Sequence, residues 1–561
     1  MATNVHTIVA EAQDVISTDL STNKPPPAPL PPTKDAATPG PTAKTAKVKS
    51  NFLGFRNLMV LTVVVMNLRL VIENAKKYGL LITLKMNVRS SDANAALLLL
   101  ALTPCHLFVA FIIEKVAMAQ AKGVVGRRKK TDTSMTAPET EKERKDFYQT
   151  WWWIAIAHTL NATLALLITS VVVFYYLRNP GIGTFCELHA IVVWLKTCSY
   201  AFTNRDLRHA MLDPAGPESG LPEIYSNCPY PQNITLSNLC YFWVAPTLVY
   251  QPYYPRTERI RWPFFWKRVG ETIALSVFIW LTCAQYGEPV LRNSLDKMQS
   301  FDLPSITERL LKLSTISLIV WLAGFFALFQ SFLNALAEIT RFGDREFYQD
   351  WWNSTCLRTY WSSWNKPVYH FMRRHVYGPL RGRGWSHGAA STSVFIFSAI
   401  LHEVAIGIPT HNFLGVAFLG MMAQMPLILA TEPLARGDDM SKKVLGNCLF
   451  WINFVFFGQP LSAMIYYFAW QKKTLRSQTF QFLVGPIQTA FNLHSYLATK
   501  LSPVFAALIN GRMAESIANR AILDDIDEDT FLAVPSSHLV KLSRWDAWDD
   551  ELDDFQHPGT V

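Results

Sequence analysis

Long apolar runs recur along this chain and dominate what it can fold into. They lie near Leu58–Ile72, Ala95–Ala117, Trp151–Leu177, Gly183–Phe202, Val269–Gly287, Leu313–Leu333, Thr392–Ile408, Leu414–Ala430 and Leu449–Trp470. A helix crossing a bilayer needs about 20 mostly apolar residues, so the shorter runs extend by a few positions at their ends. In lipid, every backbone polar group must be paired within the protein, and a helix pairs its own. The runs therefore predict an all-α, polytopic integral membrane protein with about nine spans. Only 17% of the residues are charged, against about a quarter in a soluble domain. The 18 Trp and 35 Phe suit the aromatic belts at membrane interfaces.

Basic residues concentrate in alternate loops. Lys44, Lys47, Lys49 and Arg56 precede the first run, and Arg127, Arg128, Lys129 and Lys130 follow the second. Arg256, Arg259, Arg261 and Lys267 lie before the fifth, and Arg341, Arg345, Arg373 and Arg374 before the seventh. These stretches share one side, read with the N-terminus as cytosolic. The net charge of +9 is then loop bias. No basic cluster alternates with aromatics on a soluble segment, so nucleic acid is not an expected partner. Eight scattered cysteines without a C-x-x-C pair indicate neither a zinc site nor a disulfide framework. The sequons at Asn161, Asn233 and Asn353 fall in a span or on the cytosolic side, so none is expected to be glycosylated.

Three regions are expected. Residues 1–50 form a Pro-rich disordered head. Residues 51–472 hold the spans. Residues 473–561 form an extension, in which Phe480–Ile509, broken by Pro486 and Pro503, is expected as an interfacial amphipathic helix. Beyond it the acidic clusters Asp524–Asp529 and Trp545–Glu551 are expected to be solvated.

Chemistry concentrates between Glu338 and His411. His402 and Glu403 sit near the middle of the Thr392–Ile408 run. Ionisable residues inside a span are costly and mark functional sites by default. Neutral imidazole is well matched to accept a proton near neutral pH. Glu403 points about 100° away on a helix, so it is expected to bond another element. The pair is not part of H-E-x-x-H, because Val404, Ala405 and Ile406 follow. A zinc protease is excluded and no metal is expected. Gln330, Asn334, Gln424 and Gln459 also interrupt apolar runs. Each can line a wet cavity or join helices, and the two readings stand side by side. Phe347-Tyr-Gln-Asp-Trp-Trp-Asn353 reads as an interfacial aromatic belt, and Arg373, Arg374 and His375 as phosphate ligands or loop charge.

The run F-Y-Q-D-W-W-N, then Trp364-Asn-Lys-Pro-Val368, then an intramembrane His-Glu, resembles the membrane-bound O-acyltransferase (MBOAT) superfamily. The resemblance covers about Asn51 to Trp470 and is to the branch holding sterol O-acyltransferases and type 1 diacylglycerol O-acyltransferases. Arg374-His-Val-Tyr-Gly-Pro-Leu380, Pro229–Leu239, Tyr241–Tyr250 and Pro255–Arg261 favour the second group. Val404 departs from the His-Glu-Tyr usual in that family.

The resemblance implies an MBOAT fold around a polar reaction chamber. It also implies transfer of a fatty acyl group from acyl-CoA to the free hydroxyl of 1,2-diacylglycerol. It makes His402 the general base and Asn365 the second catalytic residue. Glu403, Gln424 and Gln459 would line the chamber. Phe347, Tyr348, Asp350, Trp351, Trp352, Asn353, Trp364, Arg374, His375 and Tyr377 would receive acyl-CoA, a substrate rather than a cofactor. No cofactor is needed, because the thioester is already activated. A homodimer or homotetramer in the endoplasmic reticulum membrane is implied. A sterol or fatty-alcohol acceptor, an inert relative, and a transporter or channel remain alternatives, the last weakened by the absence of an internal repeat.

Overall fold

The computed structural model describes residues 89–130, 137–212, 223–294, 303–436 and 439–477. It also describes residues 68, 71–79 and 81 before them and the strands 479–484, 489–494 and 520–523 after them. The first expected span, the Pro-rich head and the acidic clusters lie wholly or largely outside the described residues.

Two compact units divide the chain, Met1–Ala463 and Met464–Val561. The first opens with α1 (Ser90–Leu102), α2 (Cys105–Lys130), α3 (Ala137–Tyr176) and α4 (Pro180–Leu212). These are followed by α5 (Leu236–Val244) and α6 (Trp262–Thr282). The order continues with α7 (Glu288–Arg292), α8 (Leu303–Phe325) and α9 (Leu333–Ile339). Three short helices precede the longer ones at the site: α10 (Leu357–Ser363), α11 (Lys366–Met372) and α12 (Gly378–Gly382). Then come α13 (His387–Gly407), α14 (Val416–Met422), α15 (Gln424–Ala435), α16 (Met440–Ile452) and α17 (Gln459–Ser477).

Among the described residues, seven helical stretches are long and apolar enough to cross a membrane. They are Ser90–Arg127, Thr150–Tyr176, Trp262–Arg292, Leu303–Ile339, His387–Gly407, Val416–Ala435 and Met440–Lys473. All seven coincide with expected spans. The run Gly183–Phe202 is helical within α4, but Glu187 and Lys196 dilute its hydropathy. Among the described residues seven spans therefore stand, and the expected count of nine is not confirmed.

Several long helices contain a wide π turn: Cys283–Gly287, Phe326–Phe332, Arg373–Tyr377 and Asn453–Gly458. Three of these lie just before Pro289, Pro379 and Pro460. Proline cannot donate to the carbonyl four residues back and its ring clashes there, so the helix widens. The carbonyl that Pro289 cannot serve, that of Gln285, accepts instead from Asn74 Nδ2 at 3.2 Å. In the fourth turn Asn334 Nδ2 serves the carbonyls of Phe329 and Gln330, at 3.3 and 3.0 Å.

The main core is aromatic. Phe242, Tyr250, Tyr254, Phe325, Phe329, Phe342, Phe347, Trp351, Tyr360 and Phe450 are all buried in one cluster. It joins α5, α8, α10 and α16 and forms the floor on which the candidate site is built.

In the second unit, β1 (Thr479–Val484) pairs antiparallel with β2 (Thr489–His494) and parallel with β3 (Arg520–Leu523). The expected interfacial helix over Phe480–Ile509 is thus replaced, at 479–484 and 489–494, by strands. The alternation Thr479-Phe-Gln-Phe482 has the period of two that a pleated strand needs.

Candidate active site

Helix α13 starts at Ser386, whose side chain accepts from Ala389 N–H. It ends at Gly407, two residues before Pro409. His402 lies on it, with Nδ1 2.8 Å from the Ser398 carbonyl oxygen. A carbonyl only accepts, so Nδ1 carries the proton. Nε2 is left with its lone pair, the tautomer of a base. Glu403 turns elsewhere, as its place on the helix predicts. Its Oε1 accepts from Gly415 N–H at 2.9 Å and its Oε2 from Phe418 N–H at 3.2 Å. Gly415 has φ +71° and opens α14. A carboxylate here sits at a helix N-terminus, where charge is favoured. Glu403 thus braces the α13–α14 corner.

Asn365 is the N-cap of α11. Its Oδ1 accepts from Val368 N–H at 3.2 Å, with Pro367 in the first turn. The cap bond occupies the oxygen and leaves the Nδ2 donors to point elsewhere. The F-Y-Q-D-W-W-N segment runs alongside. Lys366 N–H donates to Phe347 O at 3.0 Å, and Gln349 N–H to Ser363 O at 2.7 Å. The segment therefore clamps the α10–α11 junction that carries Trp364 and Asn365.

Within it the side chains divide. Phe347 and Trp351 are 3% and 1% exposed. Trp351 is ringed by Phe325, Tyr360, Phe454 and Phe450 at centroid distances of 5.1, 6.0, 6.0 and 6.5 Å. These two residues are pillars of the core rather than a receiving surface. Tyr348 donates its hydroxyl to Gln330 Oε1 at 2.6 Å, so Gln330 joins helix to loop. Asp350, Trp352 and Asn353 are exposed. Trp364 stacks on Tyr360, with planes at 8° and centroids 6.0 Å apart.

Arg374, His375 and Tyr377 occupy the π turn after α11. Each meets another part of the protein. Arg374 Nη1 donates to Tyr225 OH at 2.8 Å. His375 Nε2 lies 2.7 Å from Ser199 Oγ, which itself accepts from Tyr250 N–H at 2.8 Å. Burial, then the charges of Arg374 and Arg205, hold the His375 imidazole well below its usual pKa. It is neutral, and Nε2 accepts from the serine. Tyr377 OH lies 2.7 Å from His387 Nδ1. Gln424 Nε2 donates to the Gly420 carbonyl at 3.1 Å, and half-buried Gln459 begins α17 directly after a π turn.

The elements carrying His402 and Asn365 adjoin. Leu401, Val404 and Ala405 of α13 pack against a cluster that includes Phe371 and Met372 of α11. Among the described residues, no hydrogen bond joins Gln424 or Gln459 to His402.

Glu338 and Glu114 are among the buried carboxylates to which sequence reasoning gave no role. Glu338 is 0% exposed. It takes Arg261 N–H at 2.6 Å and Arg261 Nη2 at 2.9 Å, and also bonds Arg345. This pins the loop that leads into the aromatic segment. Glu114 bonds Arg208 and His158 between α2, α4 and α3. A charged residue inside an apolar run was the available signal for Glu114, and one just past the end of such a run for Glu338.

Known proteins corroborate this architecture. Residues 145–469 match the family model described as MBOAT, membrane-bound O-acyltransferase family. The chain is similar to diacylglycerol O-acyltransferase 1 of Dictyostelium discoideum, 34% identical over 419 residues, 74% of this chain and 62% of that relative. It is similar to diacylglycerol O-acyltransferase 1A of Glycine max, 36% identical over 431 residues, 75% of this chain and 78% of the relative. With diacylglycerol O-acyltransferase 1 of Arabidopsis thaliana it is 33% identical over 438 residues, 76% of this chain and 75% of that relative. The chain belongs to the membrane-bound O-acyltransferase family, as a multi-pass membrane acyltransferase. It spans less than two thirds of the Dictyostelium relative's length.

Proposed function

We propose that the protein transfers a fatty acyl group from acyl-CoA to the free hydroxyl of 1,2-diacylglycerol, forming triacylglycerol and CoA. The observation that carries this is the His402 tautomer. An imidazole inside a span, with Nδ1–H fixed by the Ser398 carbonyl 2.8 Å away, presents a lone pair to the hydroxyl. The names of the relatives supply the substrate class.

The step balances without a metal or redox partner. His402 Nε2 takes the hydroxyl proton while the oxygen attacks the thioester carbon. The carbon–sulfur bond then breaks, and the CoA thiolate takes the proton from the imidazolium. A positioned base of this kind contributes roughly 10²–10⁴-fold. Asn365 Nδ2 polarises the thioester carbonyl, a contribution of about 2.7–4 kcal/mol for one such donor. Glu403, Gln424 and Gln459 shape the chamber. The exposed part of the aromatic segment receives acyl-CoA, and Arg374, His375 and Tyr377 set the wall behind it. The reaction runs at depth, where water competes poorly as acceptor. The reading puts the N-terminus and basic loops in the cytosol at the endoplasmic reticulum membrane, in a homodimer or homotetramer.

The test uses a yeast strain lacking neutral-lipid synthesis, expressing wild type or His402→Ala at matched levels. Triacylglycerol from the wild type alone is the expected result. Steryl ester in its place would transfer the mechanism to a sterol acceptor. Equal triacylglycerol from both proteins would remove His402 from the chemistry.

A further inference from the structure

We propose that the indole N–H of Trp361 is a second hydrogen-bond donor to the carbonyl oxygen of the transferred acyl group. The proposal rests on the acyl-transfer reading above and deepens it. Trp361 lies on α10, one turn before Asn365. Its ring meets Phe395 of α13 edge-on, with centroids 6.0 Å apart and planes at 88°. Phe395 and His402 are about two helical turns apart and share one face of α13. Ser398, whose carbonyl holds His402 Nδ1, lies between them on that face. Leu401 and Val404 face the other way, into a cluster with α4 and α11. Trp361 therefore packs on the face of α13 that carries His402, about two turns nearer the N-terminus.

The Trp361 Nε1 atom is buried, and no acceptor among the described residues reaches it. Buried donors are nearly always paired, because an unmade bond costs the full desolvation of the group. A donor left over between Asn365 and the helix that carries the base points to an acceptor that arrives with the substrate. Indole nitrogen only donates, so it cannot serve as base or nucleophile. It suits an oxygen that becomes negative. Attack of the hydroxyl on the thioester carbon creates that oxygen, and no bond to Trp361 forms or breaks. Asn365 Nδ2 and Trp361 Nε1 make a pair of donors, the usual complement of an oxyanion site.

Two other buried indole N–H groups also lack an acceptor, those of Trp321 and Trp351. Position separates them from Trp361. Trp351 is enclosed by core rings, and Trp321 packs on Trp364 and Phe454. Among these three, the described ring contacts bring Trp361 alone against α13.

Trp361→Phe keeps the ring and removes the donor. Two readouts decide, on purified full-length protein. The first is kcat for triacylglycerol formation, expected to fall about 10²-fold, with KM for acyl-CoA rising by no more than about fivefold. The second is binding of two acyl-CoA analogues. One replaces the thioester sulfur by methylene and keeps the carbonyl. The other is a thioether without the carbonyl. Wild type is expected to prefer the ketone, and Trp361→Phe to lose about fivefold of that preference. A merely structural tryptophan would weaken both analogues alike and leave the ratio intact, which overturns the proposal. So does a variant with wild-type kcat and ratio. If wild type makes no triacylglycerol, the reading of function fails, while the analogue ratio still reports on Trp361.

Discussion

Replacing Glu114 by glutamine should cost this protein more stability than replacing Glu114 and Arg208 together. The Glu114 and Arg208 side chains are 0% and 2% exposed and lie 2.7 Å apart. The other carboxylate oxygen is 2.9 Å from His158 Nε2. Glutamine keeps the volume and one acceptor but removes the charge, stranding a guanidinium away from water. Breaking one side of a buried pair costs about 3–5 kcal/mol, whereas replacing both sides by neutral groups is often near neutral. Glu114→Gln should therefore lose about 3 kcal/mol, and Glu114→Gln with Arg208→Met should recover most of it. The assay is thermal unfolding in detergent, followed by tryptophan fluorescence. A loss of that size lowers Tm by on the order of 5 °C for a chain this large. If the double variant melts below both singles, or if Glu114→Gln melts with wild type, the pair is not dry and the reasoning fails.

Two further outcomes follow from the same packing. His375 has its pKa depressed by burial and by Arg374 and Arg205. The native state binds fewer protons than the unfolded one, so this contribution is complete above pH about 6.5 and is lost as pH falls, at up to about 1.4 kcal/mol per unit. Between pH 7.5 and 5.5, Tm should fall more in wild type than in His375→Gln, and parallel falls would refute the assignment. A Cβ at Gly446 would stand 2.1 Å from the Thr355 carbonyl oxygen, beside the Asn447 bonds to Trp352 O and Ser354 O at 3.1 and 2.8 Å. Gly446→Ala should thus displace the loop after the aromatic segment, costing about 1–3 kcal/mol and most of the activity. Gly270→Ala, with nothing within 4 Å, should leave melting and triacylglycerol formation near wild type.

What the sequence disclosed and what it withheld have different physical origins. Span positions were legible because bilayer thickness sets one length and hydrocarbon sets one composition. Every expected run from Ala95 onward is mostly helical, with short breaks such as Thr103–Pro104 and Leu414–Gly415, and only α4 among them falls short of a span. The polarity of His402 and the diverging direction of Glu403 were legible too, since helical geometry fixes both. The roles of Phe347, Trp351, Arg374 and His375 were not. A motif states which residues recur together, while only tertiary packing decides which of them face a ligand. Asn161 and Asn233 show the same limit. Their side chains are consumed by His106 in one case and by Asn204 and Tyr250 in the other. The expectation that they are not glycosylated came from topology, and the packing of both side chains points the same way.

The prolines carry a signal that was there to be read. Gly287-Glu-Pro289, Gly378-Pro379 and Gly458-Gln-Pro460 repeat one pattern, glycine then proline inside a helical stretch. Each follows or closes a π turn. A proline there removes one donor and pushes back one carbonyl, so the preceding turn must open. An open turn does two things in a membrane. It releases backbone carbonyls that need new partners, and it rotates the side chains that follow relative to a regular helix. Both happen here. Asn74 meets the carbonyl of Gln285, Arg374 and His375 reach across to Tyr225 and Ser199, and Gln459 begins a helix directly after its turn. Of the candidate site residues, Arg374, His375 and Tyr377 lie in such a turn and Gln459 directly after one, so these helix defects, which the sequence encodes locally, fix where those four side chains stand.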